Sequence, residues 1–586
     1  MSEQRNLIIA IALSVAILLG FQLFYERPRL EKAQQAAQQQ SQSQAVQPQA
    51  GSSKPAISSA PSAPGTPVTS DAVKTASRAE ALAASPRVRI DTRRLHGSIA
   101  LKGGRLDDLT LADYHETVDK KSPEITLLSP TGSAEPYYAD FGWTAAPDAK
   151  LTLPGPDTVW KASGSVLTPG NPIVLTWDNG QGLRFKRTFA VDQNFLFTVT
   201  QDVENTGTAP VTLFAYGLVS RHGTPSSQGL YILHEGPVGV LKGSLAEHSY
   251  KDLVEKKRIS EPSTGGWIGF TDKYWLTALI PDQKREYTAS FSHAADPVLK
   301  DKYQADYLAG AREVPPGGKA EAVNRLFAGA KEVQLLERYE DEHGITRFDL
   351  AIDWGWFYFL TKPIFYAIDF FNKLIGNFGL AILLTTGIIK ILFLPLAHKS
   401  YVAMSKMKLL QPEMVKLRER YGEDRNKLNQ EMMALYKRAK VNPAAGCLPI
   451  VLQIPVFFSL YKVLYITIEM RHAPFFGWIR DLSSPDPTTW INLFGLLPFA
   501  PPNLGPLHVI SIGVWPLLMG ISMFLQQRLN PQPADPVQAK VFMLMPIMFT
   551  FMLGQFAAGL VIYWTWNNML SMAQQWLIMK RMKVKT

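Results

Sequence analysis

The stretch LAILLTTGIIKILFLP at residues 380–395 is apolar throughout except for two adjacent threonines and one lysine, Lys390. Runs of roughly 20 mostly apolar residues are typical of membrane-spanning helices. A lysine inside such a helix costs about 2.5–3.5 kcal/mol on insertion scales, so it is expected to face protein or a water-filled cavity. Thr386 lies one turn before it on the same helical face. The stretch therefore predicts an α-helical membrane protein in which Lys390 has a functional or cavity-lining role.

Comparable apolar runs extend this prediction to six membrane spans. They lie at about residues 7–24, 379–397, 447–468, 507–525, 541–556 and 558–578. No small-residue cleavage site follows the first run, which indicates a retained signal anchor within residues 1–30 rather than a cleaved signal peptide. The short connection at 554–559 predicts that the last two helices form a hairpin.

The distribution of charge predicts the orientation of these spans. The formal net charge is +10, and lysines and arginines are concentrated in segment 399–441 and in the tail 580–586. By the positive-inside rule both segments and both termini are expected in the cytoplasm. Apolar residues of 399–441 recur every three or four positions on either side of a break at 422–424, which predicts a helical hairpin. On this pattern alone the hairpin fits a solvated connector and a docking arm equally well.

The region between the first two spans has a different composition. Residues 31–85 are rich in Gln, Ala, Ser and Pro and predict a disordered linker. From 86 to 350, short alternating runs such as 173–177 end in turns, which predicts a large periplasmic antiparallel β-sandwich domain. Residues 353–378 carry charged residues on one helical face and aromatic and aliphatic residues on the other, and they predict an interfacial amphipathic helix.

Several classes of function are excluded by what the sequence lacks. The chain contains no nucleotide-binding loop, nucleophile elbow or metalloprotease motif. Its histidines lack the spacing of metal ligands, and Cys447 is the single cysteine, so no intramolecular disulfide is expected. We therefore predict a protein that is not an enzyme and that has no cofactor and no metal. Basic residues are not interleaved with aromatic ones, so no sequence-specific nucleic-acid binding is expected.

Four motifs resemble the YidC membrane protein insertases of Gram-negative bacteria. They are NPAAGCLPIVLQIPVF at 442–457, MSKMKLLQP at 404–412, QEMMALY at 430–436 and GLVIY at 559–563. The order of parts is also similar: signal anchor, large periplasmic domain, interfacial helix, and a five-helix core at 379–579 with a cytoplasmic hairpin. The family usually has arginine at the position of Lys390. Lysine keeps the charge but lacks the planar bidentate fork, which favours a simple electrostatic attractor.

The resemblance implies an insertase and chaperone of inner-membrane proteins that acts alone or with the Sec translocon. Nascent membrane proteins would enter a hydrophilic groove with a positive charge at its centre. The implied groove residues are Lys390, Thr386, Trp564, Tyr563 and Gln453. The implied hydrophobic slide consists of Ile454, Pro455, Phe457 and Met552. Further implied partners are the lipid bilayer and, at the hairpin and basic tail, the ribosome or targeting machinery.

An ion or small-anion transporter is the alternative reading of Lys390. No acidic residue in the other predicted spans is placed to neutralise this lysine, so the site is open to an incoming negative group. A transported anion and an acidic segment of a polypeptide would both satisfy it. The lack of an internal repeat counts against the transporter.

Overall fold

The structure is a computed structural model that describes residues 76–225, 233–296, 298–422, 424–441, 448–497, 499, 510–530 and 536–581. The chain divides into two compact units, residues 1–60 and 61–586, and every described residue belongs to the second. The predicted signal anchor and most of the predicted linker lie outside the described residues. So do the first six residues of the 442–457 motif and most of the basic tail.

Two antiparallel sheets of 11 and nine strands form the N-terminal half of the described chain, which confirms the predicted β-sandwich. The strands are β1 (Arg87–Asp91), β2 (Leu95–Ala100), β3 (Leu106–His115), β4 (Glu124–Leu128), β5 (Tyr137–Ala145), β6 (Lys161–Ala162), β7 (Val166–Leu167), β8 (Ile173–Asp178), β9 (Leu183–Val191), β10 (Leu196–Asn205), β11 (Val211–His222), β12 (Gly236–Leu241), β13 (Ser244–Glu247), β14 (Arg258–Thr264), β15 (Trp267–Thr271), β16 (Trp275–Ile280), β17 (Glu286–Asp296), β18 (Lys300–Ala309), β19 (Arg312–Val314) and β20 (Lys319–Ala330).

The first sheet has the order β14-β17-β18-β11-β5-β3-β2-β1-β7, with β19 on β11 and β4 on β3. The second has the order β13-β12-β15-β16-β20-β10-β9-β8-β6. Burial alternates along a typical strand: Leu183, Phe185 and Phe189 of β9 are buried while Arg184 and Lys186 are exposed. This two-residue period places the core between the sheets. One pair departs from the prediction, because β1 and β7 run parallel.

A short helix, α1 (Arg78–Ala83), lies in the stretch predicted to be a disordered linker. Ser77 and Glu80 form a reciprocal capping box at its start, and Arg78 makes an ion pair with Asp108 of β3. These contacts order residues 76–85, so the expectation of disorder is wrong there. The prediction rested on overall composition, which does not register single contacts such as this capping box and this ion pair.

The remaining helices follow the strands, except for one that lies among them. They are α2 (Tyr250–Lys256), α3 (Val333–His343), α4 (Tyr358–Ile375), α5 (Phe378–Leu392), α6 (Leu394–Tyr421), α7 (Arg425–Arg438), α8 (Leu448–Ile466), α9 (Val514–Leu529), α10 (Pro536–Leu553) and α11 (Ala558–Arg581). Helices α6 and α7 form the predicted hairpin, broken at Gly422.

Among the described helices, none taken singly combines the length and the apolar composition that a membrane crossing needs. Helices α5 and α6 meet both requirements only as a pair, with a bend of 68° between them. Pro395 at the start of α6 accounts for the break, since the residue before a proline is disfavoured in helical conformation. The predicted span 379–397 therefore contains a bend at Phe393, and the count of six spans stays a prediction.

Helix α4 packs its charged face against protein. Lys362 lies 2.7 Å from Glu337 of α3 and 3.1 Å from Asp349, and Asp369 accepts a hydrogen bond of 2.7 Å from Gln334. Aromatic and aliphatic residues on its outer side remain exposed: Tyr358, Phe359, Phe370, Leu374 and Ile375. Ile364, Phe365 and Ile368 of the same helix are buried in the core, so both polar and apolar contacts join it to the rest of the protein, and a second apolar face stays exposed.

Candidate functional site

Lys390 lies in the last turn of α5 and is half-buried in the helical bundle. Its ammonium donates a hydrogen bond of 2.8 Å to the hydroxyl of Ser571 on α11. That hydroxyl donates in turn to the carbonyl of Asn567, at 2.7 Å. Throughout the described parts of the chain, no carboxylate forms an ion pair with Lys390. A neutral hydroxyl is therefore its polar partner, and the positive charge is not compensated.

Helix α11 carries a polar stripe, of which Ser571 and Gln574 face Lys390 while Asn568 and Gln575 face α9. Its members are Asn567, Asn568, Ser571, Gln574 and Gln575, which recur at helical spacing. Asn567, Asn568, Ser571 and Gln575 are buried, and Gln574 donates a hydrogen bond of 3.4 Å to the carbonyl of Lys390. The side-chain oxygens of Asn567, Gln574 and Gln575 accept no hydrogen bond from the described residues. Buried acceptors of this kind are usually satisfied, so the stripe suits water or a polar segment of another chain.

The stripe is what the sequence analysis missed. Amides and one hydroxyl at intervals of three and four residues, inside the predicted span 558–578, were the available signal. The search for charged partners of Lys390 passed over neutral ones. Polar residues on one face of a membrane helix mark the face that is turned away from lipid.

Thr386 is buried one turn before Lys390, as its spacing predicts. Its hydroxyl donates to the carbonyl of Ile382 at 2.7 Å, so its hydrogen-bonding capacity is used within α5. Thr385 does the same with Ala381, at 2.8 Å. The two threonines add small polar side chains to the bundle interior without contacting the lysine.

The other predicted groove residues join α8 to α11. Gln453 donates a hydrogen bond of 2.6 Å to the hydroxyl of Tyr563, and Tyr563 is fully buried. The rings of Phe457 and Trp564 meet edge to face with centroids 4.6 Å apart. Trp564 precedes Ser571 by two turns of α11, roughly 10 Å along the helix. The structure thus forms two groups: Lys390 with Ser571 between α5 and α11, and the aromatic and amide pairs between α8 and α11.

Two helices present apolar surface to the outside of the bundle. On α8, Ile454 and Phe458 are 46% and 43% exposed, while Pro455 is half-buried. On α10, apolar residues are exposed on several sides of the helix: Val541, Phe542, Met543, Leu544, Ile547, Met548, Phe551 and Met552. Thioether side chains are flexible and polarizable, which suits contact with apolar partners of varied shape. Ile454, Pro455 and Met552 of the predicted hydrophobic slide lie on these helices, whereas Phe457 packs against Trp564; the slide itself stays a prediction.

The end of α8 next to the β domain is held by polar contacts. The Lys462 ammonium lies 2.7 Å from a carboxylate oxygen of Asp353. The Glu469 carboxylate, which follows α8, accepts a hydrogen bond of 3.1 Å from the backbone N–H of Val333 at the start of α3. The Arg471 guanidinium donates to the carbonyl of His115 at 2.6 Å. These contacts couple the β domain to the helix that carries Gln453 and Phe457.

Comparison with known proteins covers both halves of the chain. The family described as "YidC periplasmic domain" matches residues 87–367, and the family described as "60Kd inner membrane protein" matches residues 370–585. The "Membrane protein insertase YidC" of Methylorubrum extorquens (strain PA1) is 55% identical over 100% of this chain and 96% of its own length. Proteins of the same name from Methylobacterium sp. (strain 4-46) and Sinorhizobium fredii (strain NBRC 101917 / NGR234) are 55% and 52% identical over 100% of this chain and 96% and 97% of theirs.

Proposed function

This chain belongs to the YidC family of membrane protein insertases, and we propose that it receives the polar flank of a nascent membrane helix at Lys390. It is an insertase of the inner membrane with a periplasmic domain, and not an enzyme. The transporter alternative is not favoured, because relatives aligned along the whole chain are named insertases. The observation that carries the proposal is the ammonium of Lys390, whose polar partner is the neutral hydroxyl of Ser571.

Electrostatics at this site favours an acidic flank. A buried cation without a counter-ion gains Coulombic energy when a carboxylate approaches, and the gain is larger than in water because the dielectric constant is lower. The side-chain oxygens of Asn567 and Gln574, which accept no hydrogen bond from the described residues, would accept hydrogen bonds from backbone N–H groups of this flank. The polar flank would therefore lose its bound water and gain interactions with Lys390 and with the polar side chains of α11.

The apolar part of the substrate supplies the driving force. Burial of a helix of about 20 apolar residues is strongly favourable at ~25 cal/mol per Å². Its path into the lipid follows the exposed apolar residues of α8 and α10, which include Ile454, Phe458 and Met552. The membrane potential adds ~2.3 kcal/mol per charge per 100 mV to the translocation of an acidic flank. No nucleotide is needed for these steps.

The finer topology forms part of the same proposal. Six spans follow from the apolar runs, and the cytoplasmic position of both termini follows from the charge of segment 399–441 and of the tail. The hairpin of α6 and α7 then stands in the cytoplasm, where its basic residues would dock the ribosome or targeting machinery. The Sec translocon would act with this protein on some substrates. Domain limits of 86–350 and 379–579 complete this assignment.

The test compares two substitutions of one residue in reconstituted vesicles. Lys390→Ala is expected to lower the insertion of a single-span substrate with an acidic flank by at least tenfold, whereas Lys390→Arg keeps the charge and is expected to insert it normally. The matched control is the same substrate with its acidic residues replaced by amides. Its insertion should differ little between the wild type and Lys390→Ala. Normal insertion of the acidic substrate by Lys390→Ala would overturn the proposal.

A further inference from the structure

In the described part of the segment that connects α8 to α9, residues 467–497, 499 and 510–513, two carboxylates are hydrogen-bonded within the fold. The Asp481 carboxylate accepts hydrogen bonds from the backbone N–H groups of His472 and Ser483, at 3.1 and 2.8 Å. The Asp486 carboxylate accepts from the backbone N–H of Trp515 at 2.9 Å and from the indole of Trp478 at 3.1 Å. These two carboxylates form a polar scaffold that fixes the described part of the segment.

The outside of the same segment is apolar. Six of its large apolar residues are strongly exposed: Phe476, Trp478, Trp490, Leu493, Leu496 and Phe499. Leu496 is the most exposed of them, at 83%. A loop in water shows the reverse arrangement, with charged residues outside, and contiguous apolar surface of this kind marks an interaction site.

The backbone is strained where it presents these side chains. Leu493 and Phe494 are consecutive left-handed residues with φ of 51° and 59°, a conformation that is unfavourable for side chains other than glycine. Surrounding hydrogen bonds hold it in place, with Phe494 N–H donating to the Thr489 carbonyl at 2.7 Å and Leu497 N–H to the Asn492 carbonyl at 3.1 Å. Such strain persists where structure over-determines it, and it accompanies function.

Contacts with neighbouring elements place this segment between the start of α5 and the β domain. Phe475 packs against Gly379 at the start of α5, where a Cβ atom would lie 2.1 Å from the ring. The side chain of Asn377 donates to the carbonyl of Phe475 at 3.3 Å. Phe475 therefore lies beside the turn between α4 and α5, and at the end of α4 Phe370 and Leu374 are 63% and 74% exposed. On the other side, Arg471 lies against Trp275 of the β domain, 5.5 Å from its ring centroid.

We propose that residues 475–497 form a docking surface for lipid, with their aromatic and aliphatic tips in the boundary between headgroups and acyl chains of the outer leaflet. Its Phe475 end lies beside the turn between α4 and α5, and the contact of Arg471 with Trp275 joins it to the periplasmic domain. Trp is enriched at this boundary because its ring is apolar and its N–H is polar, which suits Trp478 and Trp490. Exposed Arg480 stands beside Trp478, where it can contact lipid phosphate. Lipid contact anchors the adjoining ends of α8 and α9 at a fixed depth.

A single labelled residue tests the proposal in the full-length protein. Cys447→Ser provides a background without cysteine, and Leu496→Cys then carries an environment-sensitive fluorophore in phosphatidylcholine nanodiscs, where water and lipid reach both faces. Doxyl groups near the top of the acyl chain should quench this probe strongly, and iodide in water should quench it weakly.

Two further positions calibrate the result. Leu374→Cys on α4 should behave like Leu496→Cys, and Val159→Cys, at a residue 59% exposed on the β domain, should be quenched by iodide and not by the doxyl lipid. Quenching of Leu496→Cys by iodide to the same extent as Val159→Cys would overturn the proposal. Protection from both quenchers would also overturn it, because a protein contact such as a second copy would then cover the surface.

Discussion

Two lysines in the helical bundle differ in the partners that the fold gives them. Lys462 on α8 lies 2.7 Å from the carboxylate of Asp353 and donates a hydrogen bond of 3.2 Å to the carbonyl of the same residue. Lys390 on α5 donates to a hydroxyl. A buried charge that is paired contributes to a defined packing, whereas a charge left without a counter-ion is costly and is kept for a task. The comparison separates a lysine that stabilises the bundle from the lysine that we propose to bind substrate.

The same contrast extends to the surroundings of the two lysines. Near the β domain, charged side chains are paired across elements: Lys362 with Glu337, and Arg94 with Glu332. Around Lys390 the polar groups are neutral, and several of their oxygens accept no hydrogen bond from the described residues. The first region, which contains the ion pairs Lys362–Glu337 and Lys462–Asp353, forms a joint between the β domain and the helical bundle. The second region has side-chain oxygens that can still accept hydrogen bonds from the polar groups of a substrate.

The largest effect on stability is expected when the ion pair between Lys462 and Asp353 is removed. Asp353→Ala removes the carboxylate from the half-buried Lys462 ammonium, which keeps the backbone carbonyl of residue 353, and should lower the free energy of unfolding by about 2–3 kcal/mol. The measurement is thermal or denaturant unfolding of the purified protein in detergent. The matched variant is Lys390→Met, which removes a charge without a counter-ion and should change the stability by less than about 1 kcal/mol. Equal destabilisation by the two variants would remove the distinction between the lysines.

A second expectation concerns Glu469, which lies outside the predicted spans. Burial raises the pKa of its carboxyl from the ordinary 4.5 to about 7, with the carboxylates of Glu332 and Asp369 adding to the rise. The folded state then binds a proton that the unfolded state releases between about pH 4.5 and 7. The stability contributed by Glu469 is therefore fully present below about pH 4.5 and is lost as the pH rises to about 7.

The size of this pH effect follows from the pKa shift. The free energy of unfolding should fall by roughly 2 kcal/mol across that interval, at ~1.4 kcal/mol per pKa unit with allowance for other titrating groups. Glu469→Gln keeps an oxygen for the N–H of Val333 and should flatten the dependence. Denaturant unfolding from pH 4.5 to 8 measures both proteins. An unchanged pH profile in Glu469→Gln would show that another group is responsible.

A third expectation concerns the rate of insertion, which should depend more on Lys390 than on Lys462. Lys390→Met should reduce the insertion of an acid-flanked substrate about tenfold, equivalent to ~1.4 kcal/mol. In contrast, the double exchange Lys462→Asp with Asp353→Lys keeps an ion pair at the joint and should insert the substrate within about twofold of the wild type. Initial rates of insertion into proteoliposomes give both values. A loss in the double exchange as large as in Lys390→Met would place the joint within the substrate path.

The sequence was informative where the signal is local. Alternation in 173–177 predicts strand β8 because one strand face is buried, and Lys390 is anomalous within its own helix. Ser571 could not be predicted as its partner, because the two residues are 181 positions apart and no local pattern sets the rotation of α5 against α11. Asp353 and Lys462, 109 positions apart, are a second such pair. The apolar run continues through the bend at Phe393 and hides it, although Pro395 is a local signal for a break.

The smallest expected effect concerns two polar residues of α11: Asn568, which contacts α9, and Ser571, which contacts Lys390. Asn568 donates a hydrogen bond of 2.9 Å to the hydroxyl of Ser522 on α9. Asn568→Leu should cost about 0.6 kcal/mol, the usual value of such bonds in membrane bundles, and should leave insertion unchanged. Ser571→Ala, one turn away, removes the acceptor of Lys390 and leaves its charge more available. Insertion of an acid-flanked substrate should then be unchanged or up to about twofold faster. A tenfold loss in Ser571→Ala would show that the orientation of the ammonium by this hydroxyl, and not the charge alone, determines how Lys390 works.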